Sequence, residues 1–543
     1  MTKLGVKSLW SLLITIVFCL FILPINERLA FTVPTDHKNL LISYGLKFLF
    51  AIFLFFILIF AFTFAEKVRD KDKDYIRWLK YSSIYLAIML VFFVLIYPGH
   101  WVWDEFNILS SVKVYDPYAW QGFLTNVWYT FCLYLIPSGV SIVLFQIIFC
   151  SLVVGYVVTQ SQKLLRNKRL AYWLFALFLL PPIILNNFYP LRLTMYAYIE
   201  LLLISRLIFL YFKQFKTDNK YRELLIFALL IMLVAFWRSE GIYYLLLFPV
   251  VIYLLKIFNR NNLTQAASYV YTAFALFIII AGYKLAQFSH DPQYDLTAYI
   301  SPLSIMLQKP LHGTDINQRL KDVNQVISVS DLKNNPSYDE VPAYWIGVQK
   351  GYLPHVKEFR KQYIYLVIHN PGSFLDARFK TFMSTNSFGD RLPFINKSQL
   401  TPFKLSDDDS HTAAVVTAFE NNNRLAKPID LKVKQDVTAA LLFHGDNRRF
   451  DILGHIFWDV IPAIVLLLLL GLKKLFSRQY FWALLSFFVL LSAPLLFLAA
   501  PANYFMYYLP VYIVGYFIVT LNILLYFDKY DARQLAKRLT FLR

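Results

Sequence analysis

Twelve long apolar runs constrain this chain more than any other feature. A transmembrane helix needs roughly 20 predominantly apolar residues to cross the hydrocarbon core of a bilayer. Runs near that length lie at 8–24, 43–64, 79–97, 137–159, 171–186, 193–212, 223–237, 241–256, 266–286, 452–472, 479–499 and 505–527. A 58% hydrophobic content with only 16% charged residues is also typical of polytopic membrane proteins. The sequence therefore predicts an all-α fold with about twelve transmembrane helices.

The positive charge of the chain lies mainly in the short loops between these runs. The loops 65–80, 162–169, 212–222 and 472–478 hold six, four, four and three Lys or Arg residues, whereas 98–136 holds only Lys113. Cytoplasmic loops of membrane proteins carry such an excess of Lys and Arg. The net charge of +19 therefore indicates orientation in a cell membrane rather than a nucleic-acid partner. Both termini are expected in the cytoplasm.

Four segments face the extracytoplasmic side on this topology. They are 98–136, 186–192, 237–241 and a stretch of more than 160 residues at 287–451. The last is too long for a simple connection and predicts a mostly helical extracytoplasmic domain. The chain then divides into four parts. Residues 1–78 form an N-terminal two-span addition with a basic cytoplasmic loop, and 79–286 form a transmembrane core. Residues 287–451 are the extracytoplasmic segment, and 452–543 are three C-terminal spans with a basic cytoplasmic tail.

The most informative short stretch is YPGHWVWDEFN at 97–107, directly after the third run. Here Asp104 and Glu105 stand among aromatic residues, as expected of amphipathic helices in the headgroup layer of an outer loop. One interpretation is structural, because acidic residues at the start of a helix cap it and interact well with its dipole. The other is functional, since ionisable residues at a membrane boundary often mark a reaction or transport site.

The stretch resembles the first outer loop of the GT-C membrane glycosyltransferases, which include protein O-mannosyltransferases and the aminoarabinose transferases of lipid A modification. The segments YISPLSIMLQK, HNPGSFLDARFK and APANYFMYYLP, at 299–309, 369–380 and 500–510, are also similar to uncharacterised Gram-positive members of this superfamily. The resemblance covers the order of spans and loops from about residue 79 to the C-terminus. It implies a GT-C-like layout for the core.

The resemblance also implies an activity, the transfer of a sugar from a polyprenyl-phosphate donor to an extracytoplasmic glycan, lipid or protein. Asp104 would be the catalytic base, and Glu105 would orient it, cap the helix or hold a metal ion. A carboxylate is ionised at neutral pH and can accept the proton of an attacking hydroxyl. By analogy with inverting glycosidases, a single base implies inversion at the anomeric carbon.

The leaving lipid phosphate needs cations at the outer headgroup level. Three cations stand at outer span ends, and we rank Arg238 first, ahead of Arg192 and Lys284. The structural alternative for Arg238 is a local pair with Glu240. The aromatic and acidic residues of these outer segments would line the substrate groove, namely Trp101, Trp103, Tyr115, Asp116 and Glu240.

Two departures from the family pattern limit the resemblance. The turn NNFYPLR at 186–192 has no carboxylate, so the sequence favours a metal-independent enzyme without cofactors over one with a divalent cation at Asp104 and Glu105. Met506 stands where related sequences often have an arginine. A flippase or transporter of lipid-linked sugars, or a polysaccharide polymerase or ligase, stays as an alternative. Glu200 and Arg206, inside one span, are expected to form a polar lining or a buried pair.

Overall fold

A computed structural model describes residues 3–34, 36–101, 103–117, 122–213, 220–245, 248, 250, 292–337, 348–388, 427–443 and 448–541. Helices account for nearly all of these residues, and the only strand-like pairing among them is an isolated bridge between Ile327 and Val348. The predicted all-α fold is therefore confirmed.

The α-helices of the described residues are numbered in chain order. Their bounds are α1 Lys3–Val17, α2 Leu23–Ala30, α3 His37–Arg69, α4 Lys73–Leu95, α5 Trp103–Lys113, α6 Phe123–Leu135, α7 Val140–Leu164, α8 Ala171–Leu177, α9 Pro181–Asn186, α10 Arg192–Phe212, α11 Lys220–Trp237, α12 Pro292–Met306, α13 Ile316–Asn324, α14 Val329–Asn334, α15 Val356–His369, α16 Pro371–Met383, α17 Leu431–Leu442, α18 Arg448–Phe457, α19 Ile461–Phe476, α20 Tyr480–Leu490, α21 Ser492–Ala499 and α22 Leu509–Phe541.

Eight helical segments in the described part of the chain are long and apolar enough to cross a membrane. They are Gly5–Ala30, His37–Arg69, Lys73–Leu95, Val140–Leu164, Arg192–Phe212, Ile452–Phe476, Tyr480–Ala499 and Phe505–Lys529. Each matches one of the twelve predicted runs. The structure thus supports a membrane protein with eight candidate spans among its described residues, and the count of about twelve stays a prediction.

The other four predicted runs differ in their outcome. The run 171–186 is not one continuous helix, because α8 ends at Leu177 and α9 starts afresh at Pro181. Two consecutive prolines explain the break, since proline lacks the backbone N–H and disfavours helical geometry in the residue before it. The run 223–237 lies in α11, which opens with charged residues and leaves a short apolar stretch. The run 266–286 lies outside the described residues. So does the run 241–256, except for residues 241–245, 248 and 250.

Contacts gather the predicted basic loops at one end of the bundle. Lys163 in the last turn of α7 pairs with Asp74 at the start of α4 at 2.5 Å. The carboxylate of Asp528 in α22 accepts the backbone N–H groups of Arg166 and Asn167, each at 2.8 Å. This ion pair and these hydrogen bonds place the loops 65–80 and 162–169 and the C-terminal helix side by side, as antiparallel packing of successive spans requires.

The predicted extracytoplasmic segment splits into two parts. Helices α12 to α16 enclose a hydrophobic core of their own, with Leu303, Ile327 and Phe359 fully buried in it. In contrast, α17 packs on the main core through Leu441 and Leu442. The described parts of 287–451 are mostly helical, as predicted, and they contribute to two different hydrophobic cores.

Candidate functional site

The turn before α5 is held against the turn after α9. Gly99 adopts φ +97°, a region that disfavours side chains, and an added Cβ would lie 2.9 Å from the carbonyl oxygen of Phe188. The next residue, His100, donates its backbone N–H to that same oxygen at 2.9 Å. Glycine is therefore required where the first two predicted outer segments meet.

Trp101 completes this turn as a core residue. Its side chain is fully buried, and its indole N–H donates to the carbonyl oxygen of Pro98 at 3.3 Å. Its ring lies 5.7 Å from Phe106 and 6.4 Å from Tyr129, measured between centroids. The structure thus places Trp101 in the hydrophobic core beneath the turn. Trp103 begins α5, and its side chain lies outside the described ones.

Asp104 and Glu105 lie in the first turn of α5, where the helix dipole favours carboxylates. Asp104 is half-buried, whereas Glu105 has no exposed surface. Burial and then the charges of Glu105 and, more weakly, Asp104 raise the pKa of the Tyr129 phenol, so both carboxylates lie near that hydroxyl. Of the two acids, Asp104 is therefore the one that a substrate in solution or in the headgroup layer can reach.

The turn 186–192 is fixed by hydrogen bonds from two neighbouring helices, α6 and α7. The amide of Gln146 donates to the carbonyl oxygens of Asn187 and Tyr189 at 3.0 and 2.7 Å. The hydroxyl of Tyr129 donates to the carbonyl oxygen of Pro190 at 3.0 Å. Arg192, which is half-buried, follows as the first residue of α10. A rigid turn thus connects the surroundings of Glu105 to this arginine.

Arg238 and Glu240 form a bidentate pair in the short turn after α11. The Nε atom of Arg238 lies 2.8 Å from Oε2 of Glu240, and its Nη2 atom bonds Oε1. The guanidinium carbon also lies 6.0 Å from the ring of Tyr196 and 5.7 Å from that of Tyr507. Only 4% of the Arg238 side chain is exposed. Arg238 thus forms the local pair with Glu240 that was the structural alternative to a role in phosphate binding.

Arg192 belongs to the same cluster. Burial by itself raises the pKa of Glu240, but the charge and hydrogen bonds of Arg238 and then the charge of Arg192 lower it to about 2. The structure therefore brings Arg192, Arg238 and Glu240 together. Tyr507, in the late motif at 500–510, lies against Arg238 and belongs to the same cluster. A phosphate bound here would share these cations with Glu240.

Tyr115 and Asp116 lie away from this cluster. Nine residues of helical rise separate Asp104 from Lys113, the last residue of α5, by roughly 13 Å, and Tyr115 and Asp116 follow in the next turn. The Tyr115 hydroxyl donates to Glu27 at 2.7 Å, and Asp116 pairs with Lys38 at 3.4 Å. The far end of α5 is thus bound to the N-terminal helices, and the structure does not unite these two predicted groove residues with Asp104.

Lys434 is a residue of the site that sequence reasoning missed. Its ammonium group, on α17, is buried and donates to the carbonyl oxygen of Gly99 at 2.8 Å. One turn further along, the hydroxyl of Thr438 lies 3.3 Å from Nε2 of His100, whose ring stacks on Tyr189 at 4.9 Å. No local signal separates Lys434 from the exposed Lys432, because only the docking of α17 buries one of them.

Burial controls the charges of this contact. It lowers the pKa of Lys434 to about 7. Burial and then the nearby Lys434 also lower the pKa of His100 well below its usual value, so His100 is neutral at physiological pH. Lys434 therefore titrates much closer to neutral pH than an exposed lysine, and its protonated form adds positive charge beside the YPGH turn.

The remaining candidates are placed as follows. Glu200 is fully buried and accepts the hydroxyl of Tyr244 at 2.6 Å, while Arg206 pairs with Glu223 at 2.6 Å. The two span residues thus have separate partners. Lys284 lies outside the described residues. Within the described ranges no three His, Cys, Asp or Glu residues cluster as metal ligands would.

Comparison with known proteins adds no further constraint: no family model, curated protein or solved structure matches the chain.

Proposed function

We propose that the protein is a membrane glycosyltransferase of GT-C type, which transfers a sugar from a polyprenyl-phosphate donor to an extracytoplasmic acceptor. One observation carries the proposal. Asp104 is an accessible carboxylate at the start of a helix that directly follows a candidate span, and two arginine-bearing turns belong to the same end of the bundle. A base and cations at one end of the bundle are the combination that attack by a hydroxyl and departure of a phosphate require.

Asp104 is the base in this proposal. As the acceptor oxygen bonds to the anomeric carbon, its proton passes to the Asp104 carboxylate, and the bond from that carbon to the phosphate oxygen breaks. The lipid phosphate leaves with the electron pair. One displacement without a covalent intermediate inverts the anomeric configuration. Glu105 is buried and accordingly serves to hold the first turn of α5 and its neighbour Asp104 in place.

Arg192 and Arg238 receive the phosphate. Arg192 is the more exposed of the two and makes the first contact with the donor. Arg238 is already held in a fixed orientation by Glu240 and two aromatic rings, which reduces the entropy lost when a phosphate binds. Lys284 is retained as a third cation on sequence grounds. The reaction is proposed to need neither a metal ion nor another cofactor.

The proposal places the site on the extracytoplasmic face of a bacterial cell membrane, with both termini in the cytoplasm. The positive-inside pattern supports this orientation. The basic loops 65–80 and 162–169 lie together at the opposite end of the bundle from the site. The resemblance favours a Gram-positive cell and an acceptor in its wall, such as a teichoic acid, another polysaccharide, a glycolipid or a protein.

The decisive experiment replaces Asp104 with Asn in the host cell and compares its surface glycans by mass spectrometry with those of the parent and of a deletion strain. Asp116→Asn is the matched control, because it removes an exposed carboxylate from the turn that follows the other end of α5. We expect Asp104→Asn to reproduce the deletion and Asp116→Asn to leave the glycans unchanged, at equal protein levels. A normal profile for Asp104→Asn would refute the catalytic role.

The transport alternative needs a separate measurement. Vesicles containing the purified protein are supplied with polyprenyl-phosphate hexoses together with cell-wall glycan acceptors, and the release of free polyprenyl phosphate is measured. Release that depends on both acceptor and Asp104 supports transfer. Movement of the lipid across the bilayer without release would instead support a flippase.

A further inference from the structure

Two neighbouring helices of the separate core expose apolar side chains where a water-soluble surface would be polar. On α15 these are Ile364 and Ile368, and on α16 they are Leu375 and Phe379. Residues four apart lie on one face of a helix, so each pair forms a short apolar stripe. Leu375 and Phe379 are 50% and 56% exposed, although other residues of α16 are buried. Exposed apolar stripes of this kind indicate a contact surface.

Arg378 fixes the height of α16 relative to a candidate span. Its side chain is buried and donates from Nε to the carbonyl oxygen of Phe497 at 2.6 Å and from Nη2 to that of Ala500 at 2.7 Å. These carbonyls end the span Tyr480–Ala499. A helix of that length covers about 30 Å, which is the thickness of the hydrocarbon core, so its end lies at the bilayer boundary. Phe379, next to Arg378, is within a side-chain length of that boundary.

The apolar surface continues from the span onto α16. Leu495 and Leu498 on the last turns of the span are exposed, as residues in contact with lipid chains are. The ring of Phe382 on α16 lies 6.0 Å from that of Phe497, which packs the two helices together at this level. Leu375 and Phe379 therefore extend a lipid-contacting face beyond the end of the span.

The charges around the stripes suit a bilayer surface. Lys357 and Lys361 are exposed and precede Ile364 at positions on the same helical face. Lys380 follows Phe379 and is also exposed; it pairs with Asp376 at 3.2 Å, as Lys361 does with Glu358 at 3.3 Å. Lysines beside exposed apolar residues are typical of helices that lie in the headgroup layer, because the ammonium groups reach anionic phosphates while the apolar side chains enter the acyl boundary.

We propose that the exposed stripes of α15 and α16 rest on the lipid bilayer, with Leu375 and Phe379 in the acyl boundary and Lys357, Lys361 and Lys380 at the phosphates. The unit formed by α12 to α16 then lies against the membrane surface next to the span Tyr480–Ala499. This inference stands apart from the proposed sugar transfer, because it depends only on helix faces and on the position of Arg378.

The test places a single fluorophore on the full chain in vesicles of phosphatidylcholine and phosphatidylglycerol. Cysteine is introduced at Phe379, at Leu498 as the lipid-facing reference and at Asn324 as the water-facing reference on the same unit, after the native cysteines Cys19, Cys132 and Cys150 are replaced by alanine. Quenching is measured with iodide in water and with nitroxide-labelled lipid. All three sites are exposed or part-exposed, so labelling does not require unfolding.

We expect the label at Phe379 to lose iodide quenching relative to Asn324 and to be quenched by nitroxide lipid as the label at Leu498 is. Iodide quenching equal to that at Asn324 would overturn the proposal, because the stripe would then face water. Protection from both quenchers would overturn it as well and indicate a second copy or another protein on this face. Transfer activity does not enter either measurement, so failure here leaves the proposed function untouched.

Discussion

Gly99→Ala is the sharpest perturbation of the contact between the YPGH turn and the 186–192 turn. The backbone at Gly99 has φ +97°, and an added methyl group would meet the carbonyl oxygen of Phe188 at 2.9 Å and a methyl carbon of Val143 at 3.0 Å. Neither neighbour is the flexible end of a long side chain. The substitution must therefore move backbone in one of the two turns.

Two contributions set the size of the effect. A left-handed backbone costs an L-residue about 1–2 kcal/mol, and forcing a methyl group into a packed site costs about 1–3 kcal/mol more. We expect Gly99→Ala to lower the free energy of unfolding by roughly 2–5 kcal/mol. The displaced turn also carries α5, so we expect glycan transfer to fall even at temperatures where the variant is folded.

Two other glycines provide matched controls for the same substitution. Gly351 has φ +76° with nothing within 4 Å of an added Cβ, so Gly351→Ala pays only the backbone cost, about 1–2 kcal/mol. Gly45 lies inside α3 in open space, so Gly45→Ala gains about 1 kcal/mol of helix propensity. The three variants should therefore rank in the order Gly45, Gly351, Gly99 from most to least stable.

The assay is denaturant-induced unfolding of the purified variants in detergent micelles, followed by tryptophan fluorescence and compared with thermal unfolding. A Gly99→Ala variant as stable as Gly351→Ala would refute the close approach of the two turns. Retained stability with lost transfer would instead show that the turns adapt but no longer position Asp104.

Three further predictions follow from buried charges. Lys434→Met removes an ammonium whose pKa is lowered from 10.5 to about 7. The free energy of unfolding of the wild type should therefore rise relative to that of the variant as the pH increases from 7 to 10.5. Unfolding curves across this pH series measure the effect, and Lys432→Met, at an exposed position, is the control that should show no such rise. Glu240→Gln should lower the unfolding free energy by a few kcal/mol at pH 7. The difference should shrink as the pH falls from 4.5 towards about 2, because the Glu240 carboxylate of the wild type then loses its charge in the folded state as well. Arg378→Met removes two hydrogen bonds from a cation to backbone carbonyls, so we expect the free energy of unfolding to fall by about 3–6 kcal/mol in the same assay. An unchanged unfolding midpoint would contradict the contact of α16 with the end of the span Tyr480–Ala499.

Sequence reasoning located the helices wherever the pattern was local. Eight predicted runs coincide with the eight candidate spans, since a stretch of apolar side chains dictates a helix in lipid whatever its neighbours are. The run 171–186 failed because two prolines outweigh its apolar character. Even there the breaking residues were visible in the sequence.

The candidate site was predictable only in part. The acidic pair at the start of α5 and the arginines at 192 and 238 were identifiable from their positions beside apolar runs. The same reasoning placed Trp101 and Tyr115 in a groove because they are aromatic residues in an outer loop. Only the packing shows that Trp101 is buried beneath the turn and that the Tyr115 hydroxyl donates to Glu27, and their place in a substrate groove stays a prediction.

The sequence by itself determined the all-α membrane architecture, the basic ends of its helices and the acid pair at 104–105. Tertiary structure alone decided which of the two acids is accessible, that Arg238 is held by Glu240, and that Lys434 reaches Gly99 across 335 residues of chain. The physical reason is the range of the forces involved. Hydropathy and helix periodicity act on neighbours in the chain, whereas burial, pairing of charges and close backbone contact depend on which helices pack together.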